Sequence, residues 1–335
     1  MCKKISPRWS ILLTALMVVF CVLLNSCGKK PHKVYRIGII SGVDAFAGIA
    51  DGFKSKMTEL GYIESDNIVY DLQKTNADPA AVELAVKKFA ADKVDLIFAF
   101  PTEPALAAKA AAKGTNIPVV FAMTGIEGNN LVESILKPGG NITGVRFPGP
   151  ELTVKRLEIL HEMVPQVKRV LIMYDPNYPM IPHSLKELHS AVSPLGITLV
   201  EVPVNSIEKV GSSLQALAVS GNIDIDAILI MPEILTQSPV GWPMIAKFAL
   251  EHKIPIGGSA GFEADTGAVF SYIPDNFETG KLAAPLADKI FKGRSAGDIM
   301  VVTPPSQLRI NYKKAQELGL TIPEGLLNRA DEIIR

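Results

Sequence analysis

The sequence predicts an α/β protein built from two doubly wound, Rossmann-like lobes with a hinge and an interlobe cleft. Two observations predict this fold class. The chain has 335 residues, enough for about two domains of roughly 150 residues each. Short runs rich in Val, Ile and Leu alternate along it with amphipathic stretches, and that alternation is typical of parallel strands joined by crossover helices.

The first half of the body predicts one lobe, because β-branched runs and helical stretches follow each other in strict order. We expect strands at 35–41, 68–72, 96–99, 119–122 and 142–145. We expect helices at 45–60, 80–91 and 104–113 and a weaker helix near 131–136. Gly61 follows the first helix, where a glycine C-cap is expected.

The second half repeats this rhythm and predicts a second lobe. Its expected helices are 152–163, 184–193, 207–219 and 244–252, and its strands are 170–174, 198–202, 227–230 and 254–257. The remainder, with strands 268–272, 300–302 and 308–311 and helices 277–291 and 312–318, is too short for a third domain. We therefore assign 34–146 plus 273–299 to lobe 1, and 147–272 plus 300–335 to lobe 2.

The N-terminus has the pattern of an export signal. Lys3, Lys4 and Arg8 precede an apolar run at 11–24, which is shorter than the roughly 20 residues that a membrane-spanning helix needs. The run ends in Leu-Asn-Ser-Cys at 24–27 and resembles a bacterial lipobox. We expect 1–26 to be a lipoprotein signal peptide, Cys27 to be acylated, and 27–33 to be a tether to the membrane. Ordinary cleavage that leaves Cys27 as a free thiol is the alternative.

Charge and cysteine content narrow the function classes. The 34 basic and 34 acidic residues balance, which argues against nucleic-acid binding because phosphate neutralisation needs clustered cations. Removing 1–26 removes three basic residues and no acidic residue, so the remainder has a formal charge of −3. All three cysteines lie within the first 27 residues, and the five histidines are scattered. We therefore expect no disulfide framework, metal site or cofactor in the body.

One enzyme motif matches the chain, and its context argues against catalysis. Gly257 to Gly261 fits the G-x-S-x-G nucleophile elbow around Ser259. The last histidine, His252, precedes that serine, so no histidine base follows it in the order that this fold requires. The stretch 262–267 also looks too short for the helix of an elbow. We expect no enzymatic activity, with a serine hydrolase using Ser259 as the remote alternative.

Several segments resemble the ABC-transporter substrate-binding lipoproteins of the tryptophan-binding type. The resemblance covers nearly all of the chain after the signal peptide and implies a type I periplasmic-binding fold. It also implies three crossovers, a monomer, and a cleft that closes on one small molecule before docking to an ABC permease in the membrane. The segments that carry it are 36–39 (RIGI), 50–53 (ADGF), 59–62 (ELGY), 89–97 (FAADKVDLI), 117–121 (IPVVF) and 137–145 (KPGGNITGV).

Residues at the ends of the predicted strands are the candidate ligand contacts, because parallel α/β sheets bind ligands there. The hydroxyl of Thr102 and the free N–H groups of the helix after it suit a carboxylate, although Thr102 also suits a helix cap. Asp175 or Glu233 suits a ligand ammonium. The full candidate set is Asp44, Phe46, Thr102, Thr124, Arg146, Asn177, Tyr178, Glu233 and Ser259.

The expected function is therefore that of an extracytoplasmic solute-binding lipoprotein of an ABC importer, capturing an amino acid or a similar small organic solute. Arg146 lies near the expected hinge, where it either stays solvated or indicates an acidic ligand. Tryptophan itself is consequently not implied. A ligand-sensing accessory lipoprotein for a receptor kinase is the alternative, since the same cleft serves both.

Overall fold

The computed structural model describes residues 33–219 and 223–335, so the predicted signal peptide and the site of acylation at Cys27 lie outside the described residues. Lobe 1 is built on a five-stranded parallel sheet in the order β2-β1-β3-β4-β5. Its strands are β1 (Tyr35–Ser41), β2 (Ile68–Lys74), β3 (Leu96–Phe100), β4 (Val119–Thr124) and β5 (Ile142–Arg146).

Lobe 2 is built on a seven-stranded sheet in the order β12-β11-β10-β9-β8-β6-β7. Its neighbouring strands run parallel except for β10 and β11, which are antiparallel. The strands are β6 (Arg169–Tyr174), β7 (Thr198–Pro203), β8 (Ala227–Leu229), β9 (Ile256–Gly258), β10 (Phe270–Pro274), β11 (Ser306–Asn311) and β12 (Glu332–Ile334).

Helices cover both faces of each sheet, and each face has its own buried apolar core. Lobe 1 carries α1 (Ala47–Glu59), α2 (Pro79–Ala91), α3 (Thr102–Ala112) and α10 (Asn276–Phe291). Lobe 2 carries α4 (Gly149–Met163), α5 (Ile181–Leu195), α6 (Ile207–Val219), α7 (Ile234–Gln237), α8 (Gly241–Glu251), α9 (Gly261–Thr266), α11 (Tyr312–Glu317) and α12 (Glu324–Arg329). Within the described ranges, no helix combines the length and the hydropathy that a bilayer crossing requires.

Helix α10 comes late in the chain and returns to lobe 1, where it packs directly against α1. Glycines make this crossing close. A Cβ on Gly52 would lie 1.9 Å from the carbonyl oxygen of Phe277, and a Cβ on Gly280 would lie 2.0 Å from that of Ile49. Any side chain at either position would push the helices apart, so glycine is required at both.

The structure changes three sequence predictions. Residues 131–136 form no helix but a series of bends, which run ahead of the left-handed glycines Gly139 and Gly140. Residues 300–302 form a single bridge to β5, with Val302 N donating to Gly144 O at 2.9 Å, so they belong to lobe 1. The last crossover therefore begins near 303 and not at 300. Three helices and one strand, each of six residues or fewer, were not predicted: α7, α9, α12 and β12.

Candidate functional site

The cleft lies where the carboxyl ends of the two sheets face each other. Loops after β1, β3 and β4 form its first wall, and loops after β6, β8 and β9 form its second. The chain passes between the lobes three times, after β5, after β10 and before β11. Three crossovers of this kind form a hinge about which the two walls approach or separate.

The two walls touch through the loops at 125–128 and 178–180. Met180 is buried, and its thioether lies so close to Gly125 and Gly149 that a Cβ on either glycine would clash with it. A Cβ on Gly128 would lie 2.4 Å from the carbonyl oxygen of Pro179. Gly125 and Gly128 of lobe 1 have no side chain, which allows the loop at 178–180 of lobe 2 to contact them directly.

Thr102 is the first residue of α3 and is buried beside the end of β4. The helix begins here, two residues earlier than the sequence predicted. Its hydroxyl accepts a hydrogen bond from Gly125 N at 3.2 Å and interacts with the hydroxyl of Tyr178 from the other lobe. Thr102 therefore joins two strand ends and one interlobe contact instead of capping its own helix.

Tyr178 lies between carboxylates of both lobes. Burial raises the pKa of its hydroxyl above the usual value, and the negative charges of Glu103 and Glu233 raise it further. Partial loss of hydration raises the pKa of Glu103, and a hydrogen bond from its own backbone N–H opposes this rise. The residue as a whole remains exposed to solvent. The surroundings of Tyr178 thus carry negative charge from either side of the cleft.

Glu233 is buried and serves as the N-cap of the short helix α7. Its carboxylate accepts hydrogen bonds from Leu235 N at 2.6 Å and from Thr236 N at 2.8 Å, and the hydroxyl of Thr236 also donates to it. Burial raises the pKa of Glu233, these hydrogen bonds oppose the rise, and Asp175 adds a repulsive charge. Both oxygens are engaged by the protein, so contact with a ligand ammonium stays a prediction.

Ser259 is buried at the end of β9, and its hydrogen bonds are those of a structural loop. Its hydroxyl accepts from Gln237 Nε2 at 2.8 Å, and its backbone N–H donates to Glu263 Oε2 at 2.5 Å. Helix α9 begins two residues later, so the expectation that no helix follows the G-x-S-x-G motif was wrong. Within 33–219 and 223–335 the partner of its hydroxyl is an amide rather than a histidine base.

Two buried charges under this loop were missed from the sequence. Glu263 accepts from the N–H groups of Ser259 and Ala260, while Arg156 donates from Nε to Tyr272 O at 2.9 Å and from Nη2 to Ser259 O at 3.4 Å. Both side chains are completely buried, and one atom of each lacks a hydrogen-bond partner. Arg156 occupies the apolar face of α4, four residues after Leu152, which is the pattern that would have revealed it.

Burial is the main cause of the shifted pKa values of Glu263 and Arg156. It raises the pKa of Glu263 to about 7, against the opposing effect of its two N–H donors and of Arg156. It lowers the pKa of Arg156 to about 10, against the attraction of Glu263. The arginine stays charged at neutral pH, and the glutamate titrates in the physiological range.

Arg146 is a hinge residue whose charge is already matched within the protein. Its Nη1 donates to Glu127 of lobe 1 at 2.9 Å, its Nη2 pairs with Glu151 on α4, and its Nε donates to Thr303 in the last crossover at 3.0 Å. The sequence left two options for Arg146, solvation or an acidic ligand. The structure shows a third, in which the protein's own carboxylates neutralise it.

The remaining candidates lie at the margins of the cleft or within the lobes. Asp44 is exposed and pairs with Lys74 at 3.1 Å, while Phe46 packs on the lobe 1 core. Thr124 is fully buried and donates to Ala122 O at 2.8 Å. Asn177 is exposed and donates to the carboxylate of Asp175. The structure thus brings Thr102, Tyr178 and Glu233 together, whereas the ligand contacts of these four stay predictions.

Comparison with known proteins identifies the family. The family model described as ABC transporter substrate binding protein matches residues 34–334. The chain belongs to this family. It is also 31% identical over 254 residues to a tyrosine-binding protein of Clostridioides difficile (strain R20291), which covers 75% of this chain and 70% of the relative. The chain is thus a solute-binding protein of an ABC importer, a class that acts outside the cytoplasm together with a membrane permease.

Solved structures agree with this assignment. An ABC domain from Streptococcus pneumoniae in complex with L-Trp is 26% identical, with a TM-score of 0.80 over 90% of this chain and 100% of its own. A ligand-free, open substrate-binding protein with adhesive properties from Clostridium difficile is also 26% identical, with a TM-score of 0.71 over 89% and 99%. Both show the two-lobed fold of type I periplasmic-binding proteins.

Proposed function

We propose that this protein binds an amino acid with an aromatic side chain in the interlobe cleft and delivers it to an ABC permease. The observation that carries the proposal is the charge of the cleft. Glu103 and Glu233 approach Tyr178 from opposite lobes, and Asp175 lies near Glu233. Such a site attracts an ammonium group, because a nearby opposite charge favours the ionised form of a carboxylate.

The same charges disfavour an acidic ligand. Arg146 is the cation nearest the hinge, and Glu127 and Glu151 already neutralise it. A ligand with a second carboxylate would therefore meet unmatched negative charge on both walls, which costs binding free energy. An amino acid with a neutral side chain has one carboxylate, for which hydroxyl and backbone N–H donors are sufficient.

The preference for an aromatic side chain is supported by the relatives and by Tyr178. The relative of 31% identity is named a tyrosine-binding protein, and the solved structure of 26% identity contains L-Trp. Tyr178 is half-buried between the walls and has a flat face suited to an aromatic ring. The higher TM-score to the L-Trp complex than to the open structure, at equal identity, supports a lobe arrangement close to the ligand-bound one.

Calorimetric titration of the secreted chain tests this function. The protein is first unfolded and refolded to remove any ligand carried from the cells. We expect L-Trp, L-Tyr or L-Phe to bind, and L-Glu and L-Asp to bind at least about tenfold more weakly. Tighter binding of the acidic amino acids, or no binding of any aromatic one, would reject the proposal.

A charge-neutral variant tests where the ammonium binds. Glu103→Gln keeps the size of the side chain and removes its charge, and we expect about a tenfold loss of affinity for the aromatic ligand. Glu187→Gln is the matched control, because Glu187 is exposed on α5 and is not among the charges that shift the pKa of Tyr178. Equal affinities of both variants and the unchanged protein would place the ammonium elsewhere.

We further propose that the protein acts as a monomer on a lipid tether, without catalysing a reaction. Support for the tether is the apolar run at 11–24 followed by the Leu-Asn-Ser-Cys sequence at 24–27. Several acyl chains on Cys27 would hold the protein firmly, whereas one short chain would not. Mass spectrometry of the N-terminal peptide from native membranes is expected to show an acylated Cys27, and an unmodified Cys27 would exclude the tether.

A further inference from the structure

The base of lobe 1, at the amino ends of its strands and opposite the cleft, contains a concavity of about 820 Å³. It is formed where β1 begins and where helices α2, α3 and α10 come to their ends. Its charged lining residues are Lys33, Lys93, Asp95 and Arg294. Cations thus outnumber anions in this concavity.

Pairing within the concavity leaves positive charge unmatched. Asp95 is neutralised by Lys33, whose Nζ lies 2.8 Å from its carboxylate, and it also accepts from Arg36 N at 2.9 Å. Among the described residues, no carboxylate pairs with Lys93, and Arg294 donates only to the carbonyl oxygen of Asp298 at 2.9 Å. Both side chains are exposed. The concavity therefore presents two free cations to solvent.

Two further lysines extend this surface around the concavity. Lys113 is the C-cap of α3 and Lys289 lies in the last turn of α10, and both are exposed at the same end of the lobe. Partial negative charge at helix C-termini accounts for cations at such positions, but it neutralises only a fraction of each charge. We call Lys93, Lys113, Lys289 and Arg294 the basal cations.

The tether begins at this surface. Lys33 is the first described residue and lines the concavity, and only five residues lie between it and Cys27. The six extended steps from Cys27 to Lys33 reach about 20 Å. An acylated Cys27 would therefore keep the base of lobe 1 within that distance of the bilayer, and Lys29 and Lys30 add positive charge to the interval.

We propose that the base of lobe 1 docks on the anionic lipid headgroups of the membrane that holds the tether. This inference rests on the proposed tether. Each basic residue near an anionic bilayer adds attraction that falls off within a Debye length of about 8–10 Å, and a tether of at most about 20 Å lets the basal cations come into that range repeatedly. The rest of the protein does not supply this attraction, because residues 27–335 have a formal charge of −3. Docking by the base turns the cleft away from the bilayer, so it describes the protein between deliveries and not its complex with the permease.

The test uses residues 27–335 with the substitution Cys27→Ser, which removes the site of acylation. Co-sedimentation with vesicles then measures binding by the basal surface alone. We expect this chain to bind vesicles of phosphatidylcholine mixed with phosphatidylglycerol, to bind much less to phosphatidylcholine alone, and to dissociate as salt is raised. The triple variant Lys93→Glu, Lys113→Glu and Arg294→Glu is expected to lose at least about tenfold in vesicle affinity.

The matched control is Lys186→Glu, Lys209→Glu and Lys253→Glu, which changes the net charge equally at three exposed lysines of lobe 2. We expect this control to keep most of the vesicle affinity. An equal loss in both triples, or no binding of the Cys27→Ser chain to phosphatidylglycerol at low salt, would overturn the proposal. The milder variant Lys93→Gln, Lys113→Gln and Arg294→Gln is expected to have a vesicle affinity between those of the basal glutamate triple and the control triple.

Titration with L-Trp separates this proposal from the proposed function. The basal variant is expected to bind the ligand as the unchanged protein does, because its substitutions lie at the far end of lobe 1. Loss of vesicle binding with ligand binding intact supports the basal surface. Ligand binding without any vesicle binding rejects the basal surface and leaves the proposed function standing.

Discussion

The cleft loops of the two lobes are stabilised in different ways. In lobe 2, Glu233 caps α7, the hydroxyl of Ser259 accepts from Gln237, and Glu263 with Arg156 holds the loop from below. In lobe 1, Thr102 joins Gly125 to the Tyr178 side chain of the other lobe. The second wall is therefore formed before ligand arrives, whereas the first wall completes its contacts when the lobes approach.

The largest expected effect concerns the buried charges of lobe 2. Replacing Arg156 by Met removes the donor to Ser259 O and Tyr272 O and leaves Glu263 without its attracting charge. A hydrogen bond from a charged group contributes about 1.5–3 kcal/mol, so losing both costs about 3 kcal/mol or more. We expect the free energy of unfolding in urea to fall by that amount.

Arg329→Met is the control for that substitution. Arg329 is exposed and pairs with Glu162 on the surface, so its loss is expected to cost less than about 1 kcal/mol. Similar unfolding free energies for the two variants would mean that the stability of lobe 2 does not depend on its buried charges. The two walls would then not differ in how their loops are stabilised.

The second expected effect is a pH dependence from Glu263. Its pKa in the folded protein is about 7, above the ordinary value of 4.5, so the folded state binds this proton more tightly than the unfolded state does. The stability that it contributes is therefore present at low pH and is lost as pH rises through about 7. From about pH 8 to about pH 5, the unfolding free energy should rise by roughly 2 kcal/mol more in the unchanged protein than in Glu263→Gln.

Urea unfolding of both proteins at several pH values checks this prediction. The difference between the two cancels the contributions of all other titrating groups, provided that the substitution leaves them unchanged. Parallel pH profiles of the two proteins would show that Glu263 does not titrate in this range. The stability of the second wall would then not depend on the ionisation of Glu263.

The smallest expected effect concerns the first wall. Thr102→Val keeps the shape of the side chain but removes the acceptor for Gly125 N and the contact to Tyr178. We expect the affinity for an aromatic amino acid to fall about fivefold, which corresponds to about 1 kcal/mol. Calorimetric titration measures it.

Thr143→Val provides the comparison within the same lobe. Thr143 is also buried, but its hydroxyl donates to Ile299 O at 2.7 Å and is not among the candidate ligand contacts. Its substitution is expected to lower the unfolding free energy by a similar amount without changing ligand affinity. If both variants lost affinity equally, the effect would come from lobe 1 stability and not from contact between the walls.

Sequence patterns predicted the parallel core of both lobes, because buried strands and amphipathic helices have clear periods. Strand β1 and helix α6 have the predicted bounds, and the remaining long elements differ by a few residues at their ends. Short elements such as α9 carry too few residues for a period to show. Strand β11 pairs antiparallel with β10, a choice made by tertiary contacts that local sequence does not encode.

The site was harder to predict, because residue type does not reveal hydrogen-bond partners. Glu233 and Arg146 were chosen as free charges near strand ends, yet one caps a helix and the other is paired with two carboxylates. Glu103 was not chosen, although its carboxylate influences Tyr178. Thr102 and Tyr178 were chosen from position alone, and the structure places them in contact with each other across the cleft.

The glycine crossing of α1 and α10 has a consequence for the order in which the chain folds. Gly52 and Gly280 come from opposite ends of the sequence, so lobe 1 stays open on one face until the residues of α10 have been synthesised. Closing so long a loop carries an entropic cost that grows only slowly with length. Lobe 1 starts first in the chain, yet it cannot be completed until most of lobe 2 has been synthesised.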